Sequence, residues 1–107
     1  MDEKKAVVYY NDIVAGYLSK INGKYIFRYD ENYLLEKYPP ISISFPKRMQ
    51  PYESEKLFAF FYGLLAEGDN KEIQCKMLKI DENDHFTRLI KTAGENTIGA
   101  VTVREGE

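Results

Sequence analysis

The sequence predicts an α+β fold: an antiparallel β-sheet, built from an N-terminal meander plus a C-terminal strand, packed against about three α-helices. Three observations predict it. Residues 1–30 are β-rich runs broken by two short turn signals. Apolar residues in the second half recur at helical rather than strand spacing. A last β-branched run follows the final helical stop.

The elements follow in order. Ala6 to Tyr10 (AVVYY) favours a strand, and Asn11-Asp12 a turn, because both side chains bond readily to nearby backbone. Ile13 to Ser19 predicts a second strand. Asn22-Gly23 is a strong hairpin signal, since both residues tolerate positive φ. Tyr25 to Tyr29 then forms a third strand, with Tyr25, Phe27 and Tyr29 on one face. Asp30 to Tyr38 suits a short helical turn whose Tyr33, Leu34 and Leu35 seek the core, and Pro39-Pro40 stops it. Ile41-Ser42-Ile43-Ser44-Phe45 alternates apolar and polar, which predicts a half-buried strand ending at Pro46. Ser54 can cap a helix in which Leu57, Phe58, Phe61, Leu64 and Leu65 make a wide apolar face. Asn70 can cap a second helix with a stripe of Ile73, Met77 and Ile80. Acidic Asp81 to Asp84 favours the start of a third, in which Phe86, Leu89, Ile90 and Ala93 recur on one side. Gly94 is a natural stop, and Gly99 to Val103 (GAVTV) predicts a final strand rejoining the sheet.

The chain has 107 residues, which fits one domain spanning 1–107. Hydrophobic residues are 44% and charged residues 30%, a globular balance with enough apolar side chains for a core. Nine Tyr and six Phe are many for this length; Tyr is enriched at protein interfaces, while the plain reading is that most of these rings fill the core. The net charge of −2 argues against direct binding of nucleic acid, which needs a basic surface. No apolar run approaches the length of a membrane span, and the charged N-terminus lacks the apolar stretch of a secretory signal. The expected location is the cytoplasm, with no membrane partner. One cysteine, Cys75, permits no intrachain disulfide.

Catalytic patterns are missing. There is no phosphate-cradling G-x-x-x-x-G-K-S/T loop, no G-x-G-x-x-G after a strand, and no kinase catalytic loop. Asp81-Glu82-Asn83-Asp84 has the acidity of a calcium loop. It has Phe86 and Thr92, however, where such a loop needs Gly and Glu. No metal or other cofactor is expected. Cys75 and His85 could form a thiol–imidazole pair, the basis of an alternative reading as a small thiol-dependent enzyme. Cys75 also falls beside the apolar stripe of its helix, where a free cysteine acts as a small buried hydrophobe. Lys47-Arg48 in the proline-bounded loop 46–51 is a basic step beside Met49 and Tyr52. Stiffened by Pro46 and Pro51, that loop can present Lys47, Arg48, Met49 and Tyr52 to a partner. The turn Glu67-Gly68-Asp69 is a second candidate contact for the same reason.

Several segments together resemble one family. They are VVYYNDIVAGYL, YIFRY, ISISFP, PYESEKLFAFFYGLLAEG and the closing GENTIGAVTV. Their order and spacing are similar to the N-terminal domain of HipA-type toxin kinases over residues 6–103. Where the family commonly has Phe-Phe-Asp-Gly and then Leu-Leu-Pro-Glu-Gly, this chain has Tyr62 for the Asp and Ala66 for the Pro. Glu95 stands at the Asp position of the closing segment. Asp69 is a larger departure, because many members carry a bulky residue after Glu-Gly, and an aspartate cannot fill an apolar pocket in the same way.

The resemblance implies a non-catalytic domain. In full-length relatives it precedes a kinase core; here the chain ends at Glu107, directly after the last predicted strand. The expectation is therefore a stand-alone small subunit of a split toxin–antitoxin system. It would dock as an antitoxin-like regulator on a HipA-type serine/threonine kinase lacking its own N-terminal domain. A helix-turn-helix DNA-binding protein can belong to the same complex. A purely structural subunit of the kinase is the remaining alternative.

Overall fold

The computed structural model describes residues 3–66, 68–94 and 100–106. Strands β1 (Glu3–Tyr10), β2 (Ile13–Ile21) and β3 (Lys24–Tyr29) form the meander. A short helix α1 (Glu31–Leu35) follows, then β4 (Tyr52–Ser54), α2 (Ala59–Tyr62), α3 (Asp69–Leu78), α4 (His85–Thr92) and β5 (Val101–Glu105). The five strands form one antiparallel sheet in the order β4-β3-β2-β1-β5. The C-terminal strand rejoins the sheet, as expected, and does so by pairing with the first; Gly99 and the rest of 95–99 lie outside the described residues.

Both hairpins close through two residues with positive φ. These are Asn11 (48°) with Asp12 (68°), and Asn22 (51°) with Gly23 (80°). Positive φ at both central positions matches the right-handed twist of the flanking strands, so these turns set the register of the meander. Pairing of β1 with β2 shifts between Val8 and Tyr9, leaving Ala15 as the extra residue of a bulge. Gly16 beside it is sterically required: a Cβ there would lie 2.4 Å from the Arg28 carbonyl oxygen and 2.9 Å from the Phe27 ring.

Ala6, Val8, Leu18, Tyr25, Phe27, Tyr29, Val101 and Val103 bury one face of the sheet. Phe61 of α2 and Phe86 and Leu89 of α4 pack into the same core. Phe27 is the centre of an aromatic cluster, with Tyr29, Phe45 and Phe61 at 5.1, 5.0 and 5.6 Å between ring centroids. Asp84 caps α4 by accepting from the Thr87 backbone N–H at 3.1 Å, as the acidic run predicts. The opposite face of the sheet carries half-exposed Tyr9 and Tyr17, each under an arginine: Arg104 at 5.1 Å and Arg28 at 4.9 Å.

Besides Leu35, which is 83% exposed rather than in the core, and Asn70, whose expected N-cap place is taken by Gly68, three sequence expectations are corrected. Ile41–Phe45 is not a strand. Ile41 and Phe45 are buried, while Ile43 is 98% exposed. The Phe45 N–H donates to the Ser42 carbonyl at 3.0 Å and the Ser44 N–H to Ser42 Oγ at 3.1 Å. Serine offers this local alternative to a sheet ladder, and Pro39, Pro40 and Pro46 supply no N–H donors to one. The sheet edge beside β3 is taken by Tyr52–Ser54, so Ser54 ends a strand rather than capping a helix, and its Oγ accepts from the Lys56 N–H at 3.2 Å. The helix that follows is therefore only Ala59–Tyr62. The third correction concerns α3, which buries Cys75 and leaves Ile73 and Met77 exposed.

Candidate docking surface

The proline-bounded loop is fixed by tyrosines below it. Proline carbonyls accept hydrogen bonds although the residue donates none. The Tyr33 hydroxyl donates to the Pro39 carbonyl at 2.5 Å and the Tyr52 hydroxyl to the Pro46 carbonyl at 2.5 Å. The Tyr29 hydroxyl donates to the Phe45 carbonyl, just before Pro46, and accepts from the Ile41 N–H at 3.1 Å. Burial raises the Tyr29 phenol above its ordinary value, and burial beside Tyr29, Tyr10 and Tyr38 pushes Tyr33 up to about 12. Both therefore stay protonated donors at neutral pH.

Of the four loop residues singled out from the sequence, three hold the loop's shape. Lys47 Nζ donates to the Glu36 and Tyr38 carbonyls at 2.8 and 3.0 Å and lies 5.3 Å from the Tyr33 ring centroid. Arg48 stacks over the Tyr52 ring at 3.7 Å and donates to the Gln50 and Pro51 carbonyls at 3.1 and 3.2 Å. Tyr52 also packs edge-on against Phe45 at 5.0 Å. Met49, between these anchors, is 75% exposed. A flexible apolar side chain is thereby held in water on a braced loop, an arrangement suited to entering a partner's apolar pocket.

The second candidate, the turn before α3, has a different brace. Gly68 has a φ of 65°, which favours glycine, and is the N-cap of α3, with exposed Asp69 as the first helical residue. Glu67 lies outside the described residues. Arg88 of α4 is buried and donates to the Ala66 carbonyl at 2.7 Å, so α4 pins the chain entering this turn. Sequence reasoning missed Arg88. The available signal was a cation inside the apolar stripe of Phe86, Leu89 and Ile90, where burial demands a polar partner. Among the described residues, no hydrogen bond, ion pair or ring contact joins Lys47, Arg48, Met49 or Tyr52 to Gly68 or Asp69, so the two candidates are separately braced features.

His85 lines an open cleft of about 420 Å³ with Tyr25, Glu55, Lys56, Leu57 and Tyr62. Its ring meets Tyr62 edge-on at 5.1 Å. Burial lowers its pKa, and the charges of Arg88, Lys71 and Lys20 lower it further. Cys75 is buried in α3, and among the described residues no hydrogen bond joins it to His85. Cys75 is not among the residues that line the cleft with His85. Nor is there, among the described residues, a cluster of three or more His, Cys, Asp or Glu that could hold a metal ion. No helix among them is long and apolar enough to cross a membrane.

Comparison with known proteins agrees with this architecture. A solved structure titled "N-terminal domain of HipA toxin" superposes with a TM-score of 0.72 at 26% identity, covering 97% of this chain and 93% of that one. An uncharacterized protein of Haemophilus influenzae is 41% identical over 66 residues, which span 62% of this chain and 61% of the relative's own length. The family model described as HipA N-terminal domain matches residues 6–104, from the first strand through the last. With the family model matched over residues 6–104 and that solved structure superposed along nearly the whole chain, the chain belongs to the HipA N-terminal domain family.

Proposed function

We propose that this protein is a non-catalytic, antitoxin-like regulatory subunit that docks on a HipA-type serine/threonine kinase lacking an N-terminal domain of its own. It acts as one cytoplasmic domain over residues 1–107, in a complex that can include a helix-turn-helix DNA-binding protein. The observation that carries the reading is the match to a HipA N-terminal domain along nearly the whole of both chains. What supports docking in particular is the braced loop that holds Met49 in solvent. An intramolecular domain contact becomes intermolecular when two domains are separate chains, and it then loses the effective concentration a linker supplies. Such an interface needs anchors of its own, and Met49 and the Glu67-Gly68-Asp69 turn are the proposed ones. Lys47, Arg48 and Tyr52 contribute by positioning Met49 and by offering their exposed edges.

The test is co-expression with a HipA-type kinase core and affinity capture of the pair. Wild-type protein should co-purify with the kinase and lower its autophosphorylation. Met49→Ala should weaken binding by roughly thirtyfold, the cost of a lost hot-spot side chain. No association would defeat the docking proposal. Association that leaves kinase activity unchanged would make the protein a structural subunit instead.

A further inference from the structure

Helix α3 is packed with its apolar stripe facing solvent. Its one buried residue is Cys75, about 200° around the helix from both Ile73 and Met77. Ile73 is 54% and Met77 78% exposed. The exposed face also carries Asp69 and Glu72 toward the N-terminal end and Lys76 toward the C-terminal end. Among the described residues, none of these three has a salt-bridge partner. An isolated ten-residue helix is marginal in water, and one that leaves Ile73, Met77 and Leu78 uncovered gains little from its own packing.

We infer that a second copy of this chain covers this face, with two α3 helices pairing antiparallel about a two-fold axis near their midpoint. The charge pattern selects both occupant and orientation. A two-fold interface must be complementary to itself. Antiparallel pairing brings the same flank of each helix together, so Glu72 meets Lys76 of the second copy, and the contact recurs across the axis. Ile73 then lies against Met77 of the second copy in the centre. Parallel pairing would instead set the Glu72/Lys76 flank against the neutral flank of Asn70 and Gln74 and would form no ion pair. A helix of this length presents about 15 Å of contact, well short of a standard interface, so the association is weak and reversible. The proposal rests on α3 alone and stands apart from docking to a kinase.

Sedimentation equilibrium of the full chain should show a monomer–dimer equilibrium with a dissociation constant of about 0.1–1 mM. Ile73→Asp should weaken it at least tenfold, because by symmetry each substitution counts twice. Should that variant melt at low temperature, Met77→Ser makes the same test. Glu72→Lys and Lys76→Glu should each weaken self-association severalfold. An equimolar mixture of those two single variants should associate more tightly than either alone, since opposite charges then face each other. Two results overturn the inference: a wild-type chain that stays monomeric at 1 mM, or a mixture no tighter than its components. A monomer whose capture by a HipA-type kinase is lost in Ile73→Asp would show that the kinase covers this helix.

Discussion

Tyr33 illustrates how one side chain can serve both the core and the loop above it. Its ring stacks between Tyr29 and Tyr38 at centroid distances of 5.8 and 5.0 Å, and its hydroxyl supports the Pro39 carbonyl. Burial makes the phenolate costly, which is why its pKa is pushed up to about 12 from a usual value of about 10. The folded state therefore prefers the neutral phenol more strongly than the unfolded chain does. Stability from this preference is complete below about pH 10 and is lost as pH rises toward about 12. Urea unfolding followed from pH 9 to 12 should show this fall. Tyr33→Phe should be less stable at neutral pH by about 1 kcal/mol, for the lost hydrogen bond, and should show a shallower alkaline slope. The raised Tyr29 phenol keeps part of the slope in that variant. An unchanged slope would mean that the Tyr33 phenol ionises alike in the folded and the unfolded chain.

At the level of single elements, periodicity twice misjudged what a segment does, once in a helix and once in an expected strand. The Phe86-Leu89-Ala93 stripe is core, because α4 lies against β5 and the Val103 N–H donates to the Ala93 carbonyl at 2.8 Å. The equally regular Ile73-Met77 stripe is not, because the residue that meets the fold is Cys75 on the other side of α3. Periodicity reports that a helix has an apolar face and is silent on what the face meets. The same limit explains Ile41–Phe45, where alternation was real but Ser42 closed a local turn, and aromatic packing on Phe27 drew Tyr52 to the sheet edge. Since α3 is tied down chiefly through Cys75, it should open without global unfolding. A thiol reagent should label Cys75 at least tenfold more slowly in native protein than in urea-unfolded protein. The native labelling rate should also rise with urea less steeply than global unfolding does. Equal steepness would show that α3 opens only when the whole fold does.

For the molecule as a whole, the meander was the most legible feature. Its turns are chemically specified by Asn11-Asp12 and Asn22-Gly23, and Tyr25, Phe27 and Tyr29 share one buried face, as alternation requires. The candidate surface was less legible. Lys47, Arg48 and Tyr52 can be found from a basic, aromatic, proline-bounded loop. That their polar groups turn back to carbonyls of residues 36–51 depends on α1 and the tyrosines beneath. The sheet order has a further consequence, for the order in which the chain acquires its structure. β1, β2 and β3 are joined by two-residue turns, so their pairing costs little loop entropy. β5 reaches β1 only after the intervening chain is gathered, since Ala6 pairs with Glu105. Proteins must meet that closure cost before distant contacts reward it. The rate-limiting nucleus should therefore be the meander, with β5 zipping on after the barrier. In stopped-flow refolding, Leu18→Ala in β2 should slow folding and give a φ-value of about 0.5–0.8. Val103→Ala in β5 should mainly speed unfolding, with a φ-value under about 0.3. Equal values at the two positions would place closure of the sheet inside the transition state.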